Sequence, residues 1–183
     1  MSSSTRARQL LKRFTLAAAA ATVLVLVPVI STTAHAHDGH DAIGGSIKRS
    51  EVIERAWTWV RRGIQYSQSG TAQDAERHHT YRRDCSGYIS MVWHIRPTGM
   101  SAPWTGSLGN YSTAKSKANL KRGDILLNAG SHVVLFHKWA NTAHTRFYLF
   151  EMANPTSDMN HRVAYLSSYS GYTARRYNHI VNA

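Results

Sequence analysis

Cys85 is the only cysteine in the 183-residue chain, and it stands in the run Asp84-Cys85-Ser86-Gly87-Tyr88. A thiol becomes a useful nucleophile when its pKa falls. Asp84 reads as the N-cap of a helix extending to about His94, with Tyr88, Ile89, Val92 and Trp93 on its apolar side. Cys85 then sits in the first turn, where the helix dipole and the free backbone N–H groups favour a thiolate. The same N–H groups can stabilise the oxyanion that forms when sulfur attacks a carbonyl. Gly87 allows substrate or a neighbouring strand to approach closely. A lone cysteine can form no internal disulfide and no cysteine-rich zinc site.

A cysteine nucleophile needs a base, and His132 is the best placed of the histidines. It opens a predicted strand over 132–139, directly after the Gly130-Ser131 turn, at an end of the sheet where its ring can face a groove. His137 projects to the opposite face of that strand. His94, at the far end of the cysteine helix, lies about a dozen ångströms from its start at 1.5 Å per residue. The His132 ring also needs a polar partner on the neighbouring strand. If the hairpin turns around residues 141 and 142, Glu151 stands opposite, the one charge in the apolar run 147–152. Asn154 takes its place if the register slips by a few residues.

These residues must be positioned by the elements around them. Helical signals begin at Ser50, an N-cap candidate, continue through the apolar stripe Val52, Ile53, Ala56, Trp57 and Val60, and stop at Gly63. This stripe is read as core, and Trp57 and Trp59 are given no ligand role. Residues 65–83 read as a polar loop in which His78 and His79 lack a partner at metal-ligand spacing and face solvent. Residues 95–118, with Pro97, Gly99, Pro103, Gly106 and Gly109, read as a long loop of the kind that often shapes a cleft. Strands are expected over 125–127, 132–139 and 147–152, with shorter ones near 163–166 and 175–180. Helices first and strands later is the order of an α+β domain.

The first 36 residues have the three parts of a secretory signal peptide. Arg6, Arg8, Lys12 and Arg13 form a basic start, residues 16–30 an apolar run, and Ala34-His35-Ala36 a small-x-small cleavage site before His37. Removing them lowers the formal charge from +12 to +8, through the loss of those four basic residues, and leaves 147 residues. The expected location is secreted or cell-wall associated, with no stable membrane anchor after cleavage. The remaining charge favours anionic partners such as wall polymers. The basic residues are scattered in pairs rather than gathered into an arm, which argues against specific nucleic-acid binding. Residues 37–49 read as a flexible leader, with a domain over 50–183. His37 and His40 in the leader could hold a metal only weakly, and no metal or cofactor is called for.

Three segments together carry a family pattern: Asp84-Cys85-Ser86-Gly87-Tyr88, Leu120-Lys121-Arg122-Gly123-Asp124-Ile125-Leu126, and Ser131-His132-Val133-Val134-Leu135. Over residues 50–152 the chain resembles the NlpC-type family of papain-like cysteine peptidases, which cleave the short peptides of bacterial peptidoglycan. The resemblance implies a papain-like NlpC-type α+β fold, with N-terminal helices packed on an antiparallel sheet. Cys85 would be the nucleophile, His132 the base and Glu151 the third polar residue. Tyr66, Asp84 and Ser86 would bind substrate, Tyr66 and Asp84 lining the pocket for its amino-terminal side. Three departures stand out. Glu151 replaces the family's usual histidine, asparagine or glutamine, Val134 replaces a glycine, and the loop from Tyr66 to Cys85 is longer. The function expected is a secreted endopeptidase that cuts peptidoglycan stem peptides through a thioester. The alternatives are a non-catalytic wall-binding module on the same fold, and a Cys-His acyltransferase or amidase acting on another amide.

Overall fold

The computed structural model describes residues 42–182. The signal-peptide assignment for 1–36 and the first part of the leader, 37–41, lie outside the described residues. The chain enters through β1 (Ile47–Lys48) and α1 (Arg49–Arg61), forms a hairpin from β2 (Ser67–Gln73) and β3 (Thr80–Arg83), and turns into α2 (Cys85–Val92). A 3-10 turn (Thr105–Tyr111) leads to β4 (Ser112–Lys115), then β5 (Ile125–Asn128), β6 (His132–Trp139), β7 (Arg146–Glu151) and β8 (Asn160–Tyr165). The last strands are β9 (Thr173–Tyr177) and β10 (Ile180–Val181). Six strands form one sheet in the order β4-β9-β5-β6-β7-β8, and every pairing within it is antiparallel. The architecture is therefore α+β, with the helices preceding an antiparallel sheet.

Alternation along the sheet divides the core. Ile125, Leu127, Val133 and Leu135 join α1 and α2 in one cluster, while Leu126, Val134 and Phe136 join Phe147, Leu149 and Ala174 in a second cluster. That is the period-2 pattern of a sheet packed on both faces. All eight residues of α2 are buried, so the cysteine helix is a core element. Each fully buried aliphatic side chain in it contributes about 1.5–3 kcal/mol relative to exposure. Trp93 fixes its far end, donating to the Gly123 carbonyl at 3.0 Å and stacking on Tyr177.

Several expectations need correction. The segment 65–83 is not a loop but the β2–β3 hairpin, and its Gln73↔Thr80 end is closed by Asp74, whose carboxylate accepts from the backbone of His78 and His79. Its polar, half-exposed residues hide the strand period. Residues 42–49 are not a flexible leader: Ile47 is buried and pairs with Ile180, and Gly44 donates to the His94 carbonyl. The first helix starts at Arg49 with Lys48 as an uncapped N-cap, in place of Ser50. Arg49 is drawn in because its guanidinium bonds the fully buried Asp124, which Lys115 also bonds. Trp59, and not Trp57, takes the central buried position in α1. Finally, 95–118 contains the 3-10 turn and β4, the latter paired with β9, a distant strand that local sequence does not announce.

Candidate active site

α2 begins as its sequence suggests. Asp84 is extended and its Oδ1 accepts from the Gly87 backbone N–H at 2.6 Å, satisfying one of the first-turn donors. The cap places Cys85 at the first helical position. Gly87 meets a neighbouring strand: a Cβ there would lie 2.2 Å from the Arg82 carbonyl oxygen. The helix start and the end of β3 are thus pressed together, with no space for a side chain.

The structure brings Cys85, His132 and Glu151 together. The Cys85 thiol and the His132 ring lie close enough to shift one another's titration, and the Cys85 sulfur lies 3.4 Å from Thr105 Oγ1. On the other side of the ring, His132 Nε2 is 3.4 Å from Glu151 Oε2. With Nε2 so engaged, Nδ1 is the nitrogen left to face the sulfur. Glu151 is itself held by Arg162, whose Nε donates to Oε1 at 2.5 Å.

The route by which Glu151 arrives differs from the simple register. The pairs Leu135↔Phe150 and Phe136↔Leu149 are offset by two residues from the expected alignment, and an irregularity follows at His137. The turn is longer because Asn141 Oδ1 accepts from the backbone of both Thr145 and Arg146. Carried along the ladder, position 153 falls opposite His132, and Glu151 becomes its diagonal neighbour, within reach of a long side chain. Asn154 is not directed at the histidine; its Oδ1 accepts from Thr156 in a local turn. His137 packs against Trp57, Phe150 and His161.

Burial would push the Cys85 thiol up, but hydrogen bonds from His132 and Thr105 and the charge of His132 outweigh it and hold the thiol below its ordinary value. Burial would likewise depress His132; its bonds and charge interactions with Cys85 and Glu151 outweigh that and raise it to about 9. Glu151 is pushed up by burial and brought down further by its bonds to His132 and Arg162, so its carboxyl ends below the usual range. The shifts favour a thiolate–imidazolium pair flanked by a carboxylate.

A cleft of about 260 Å³ opens beside the sulfur, with Tyr66, Asp84 and Ser86 among its lining residues and Ala129 to Ser131 along its rim. Tyr66 is half-buried and its hydroxyl accepts from Gln68. The Asp84 carboxylate is held from several sides: Gly87 N and Ser86 Oγ on Oδ1, and Arg82 Nε on Oδ2. Ser86 is 3% exposed and its hydroxyl also accepts from Arg82. Arg82 further bonds the carbonyls of Ala102 and Pro103, which fastens the segment after α2 over the cleft.

Three contributors escaped the sequence. Thr105 lies in a segment whose only sequence signal was its length. Arg82 and Arg162 are two among many arginines, and their roles depend on strand neighbours. Trp104, on the cleft wall, is 64% exposed. Among the described residues, Asp74, His79 and His94 form a group that could hold a metal ion, at the opposite end of α2 from Cys85.

No family model and no curated protein matches the chain. Solved structures similar to it include the following two. One is the peptidoglycan hydrolase RipB from Mycobacterium tuberculosis, at 21% identity over 70% of this chain and 63% of that one, with a TM-score of 0.46. The other is Rv1477, a hypothetical invasion protein of Mycobacterium tuberculosis, at 20% identity over 70% of this chain and 61% of that one, with a TM-score of 0.47. The chain spans less than two thirds of the length of either.

Proposed function

We propose that this protein is a secreted, papain-like cysteine endopeptidase of the NlpC type that cleaves amide bonds in peptidoglycan stem peptides. The observation that carries this reading is Cys85 at the first position of α2 on the wall of a cleft, with His132 beside Glu151 at 3.4 Å, and the thiol lowered and the imidazole raised by that arrangement. A structural cysteine buried as a small hydrophobe would have its pKa raised. The peptidoglycan substrate rests on the Asp-Cys-Ser-Gly and Ser-His segments. The charge of +8 after signal removal supports attraction to anionic wall polymers.

In the proposed reaction the Cys85 thiolate attacks the carbonyl carbon of the scissile amide. Negative charge moves to the carbonyl oxygen, where the backbone N–H of Cys85, which has no acceptor one turn back in the helix, is placed to receive it. The C–N bond breaks as the His132 imidazolium gives its proton to the departing amine, leaving a thioester on Cys85 and a neutral imidazole. His132 then takes a proton from water, the resulting hydroxide attacks the thioester carbonyl, and the carboxylate product leaves as the thiolate–imidazolium pair is restored. Glu151, anchored by Arg162, orients the ring and stabilises its protonated form. Tyr66 and Asp84 form the wall for the amino-terminal side of the substrate.

Incubation of the purified protein with peptidoglycan should release new amino groups and matching carboxyl ends, and Cys85→Ala should abolish the release. Equal release by Cys85→Ala would overturn the assignment. Product that appears only when an amine acceptor is added would make the protein an acyltransferase. Secretion is tested separately, since the extracellular protein should begin at His37.

A further inference from the structure

At the other end of α2, away from Cys85, the loop closing the β2–β3 hairpin meets the helix C-terminus. Asp74, His79 and His94 each direct one ligand-type atom into a common space, and these atoms all lie within 4.8 Å of one another. The two imidazole rings stand 6.0 Å apart between centroids. We propose that Asp74, His79 and His94 form a zinc site that ties the β2–β3 hairpin to the C-terminal end of the cysteine helix, with water completing a tetrahedron.

Asp74 is 0% exposed. Its Oδ1 accepts from the backbone of His78 and His79, while Oδ2 has no hydrogen-bond partner among the described residues. A buried carboxylate oxygen left without a donor is costly, and a bound cation is a direct way to satisfy it. His94 is unusual in its backbone as well. The chain leaves α2 through His94 N–H to the Met91 carbonyl and Ile95 N–H to the Ser90 carbonyl, a helix ending that places its turning residue in the left-handed region and favours glycine there. This chain carries histidine at that position, with φ of 53°. The conformation is unfavourable for a side chain, so the imidazole has a reason to be there beyond closing the helix.

The chemistry of the donors fits zinc. Two imidazoles and a carboxylate, with one position for water, make an ordinary four-coordinate set, whose ligand atoms stand about 3.3–3.6 Å apart when the bonds are about 2.0–2.2 Å. The separations here need only modest side-chain rotation to close on an ion. The Arg55 charge is partly balanced, since its Nη1 bonds Glu76 and its Nε bonds the Met91 carbonyl, while its Nη2 has no hydrogen-bond partner among the described residues. Zinc would also stabilise the strand that carries Arg82 and hence the wall beside Asp84. The site does not depend on the peptidase assignment.

The full chain, stripped with a chelator and titrated with zinc chloride by calorimetry, should bind one equivalent. Its melting temperature should rise by about 5–10 °C at a zinc concentration a hundred times the dissociation constant. Cobalt in place of zinc should give the visible absorption of a tetrahedral ion. His94→Gly, which suits the left-handed backbone, and His79→Gln, at a half-exposed position, should each weaken binding about tenfold or more. Cys85→Ala and the double variant His37→Gln/His40→Gln should bind as the native chain does, since those residues are the competing thiol and leader ligands. Absence of zinc binding by the folded native chain overturns the proposal. So does native affinity in His79→Gln, or loss of the equivalent in Cys85→Ala or in the leader variant. Should His94→Gly not fold, His79→Gln decides alone.

Discussion

α2 is short, yet its two ends place histidines in opposite chemical states. At its N-terminus His132 meets the Cys85 thiol and the Glu151 carboxylate and is raised to about 9. At its C-terminus His94 is brought down to about 4, by burial first and then by the Arg55 charge, against the smaller opposing effects of Glu76 and Asp74. Burial depresses both rings. What separates them is whether anionic partners bond the ring directly or only lie nearby behind a guanidinium. One ring is a stored proton; the other is a neutral donor of a lone pair. Neither state is a property of the residue type.

The largest expected effect breaks the N-terminal half of that comparison. Cys85→Ala removes the nucleophile, and hydrolysis of peptidoglycan should fall by about 10³-fold or more, measured as amine release. Glu151→Gln comes next. The activity profile should rise as the thiolate forms and fall as the His132 imidazolium is lost near 9. An amide at 151 removes the negative charge that raises His132, so the alkaline fall should move to lower pH, with kcat down by roughly 10–10²-fold. An unchanged alkaline limb would show that Glu151 does not act on the ring. Gly87→Ala tests the packing beneath both ends: its Cβ would collide with the Arg82 carbonyl, with an expected loss of about 1–3 kcal/mol by denaturant unfolding. Asp84→Ala removes the cap and should cost about 1 kcal/mol; because Arg82 then loses a partner, kcat/KM should fall with it. Most directly, histidine resonances of the zinc-free protein followed by NMR should place the titration of His94 near 4 and that of His132 near 9. Two histidines titrating together near 6.5 would erase the comparison.

The N-terminal end was legible in sequence because its signals are local. An N-cap, a cysteine in the first turn and a glycine two residues later lie within one turn of helix, and their spacing implies their geometry. His132 was legible as the first residue of a strand after a turn. Glu151 was found for a partly mistaken reason: directly opposite in the expected register, it is a diagonal neighbour in the actual one. A long side chain spans that difference. The C-terminal end was not legible. His79 was placed in solvent because residues 65–83 carry no apolar alternation, and its partners Asp74 and His94 become neighbours only when the hairpin folds back on α2. Arg162 and Thr105 were equally silent, one defined by the β7–β8 pairing and the other by the fold of a glycine-rich segment.

By itself, then, the sequence determined that both helices precede the strands of the main sheet, the helix start that presents Cys85, and the histidine that opens a strand. These follow from short-range rules of capping, periodicity and turn chemistry, which act within a few residues. Only the tertiary structure decided which side chains surround each of those groups: that Arg162 holds Glu151, that Thr105 reaches the thiol, that His132 keeps a proton and His94 does not. Charge and hydrogen-bond interactions fall off over a few ångströms of space, and distance in space is set by strand pairing and helix packing across many residues of chain.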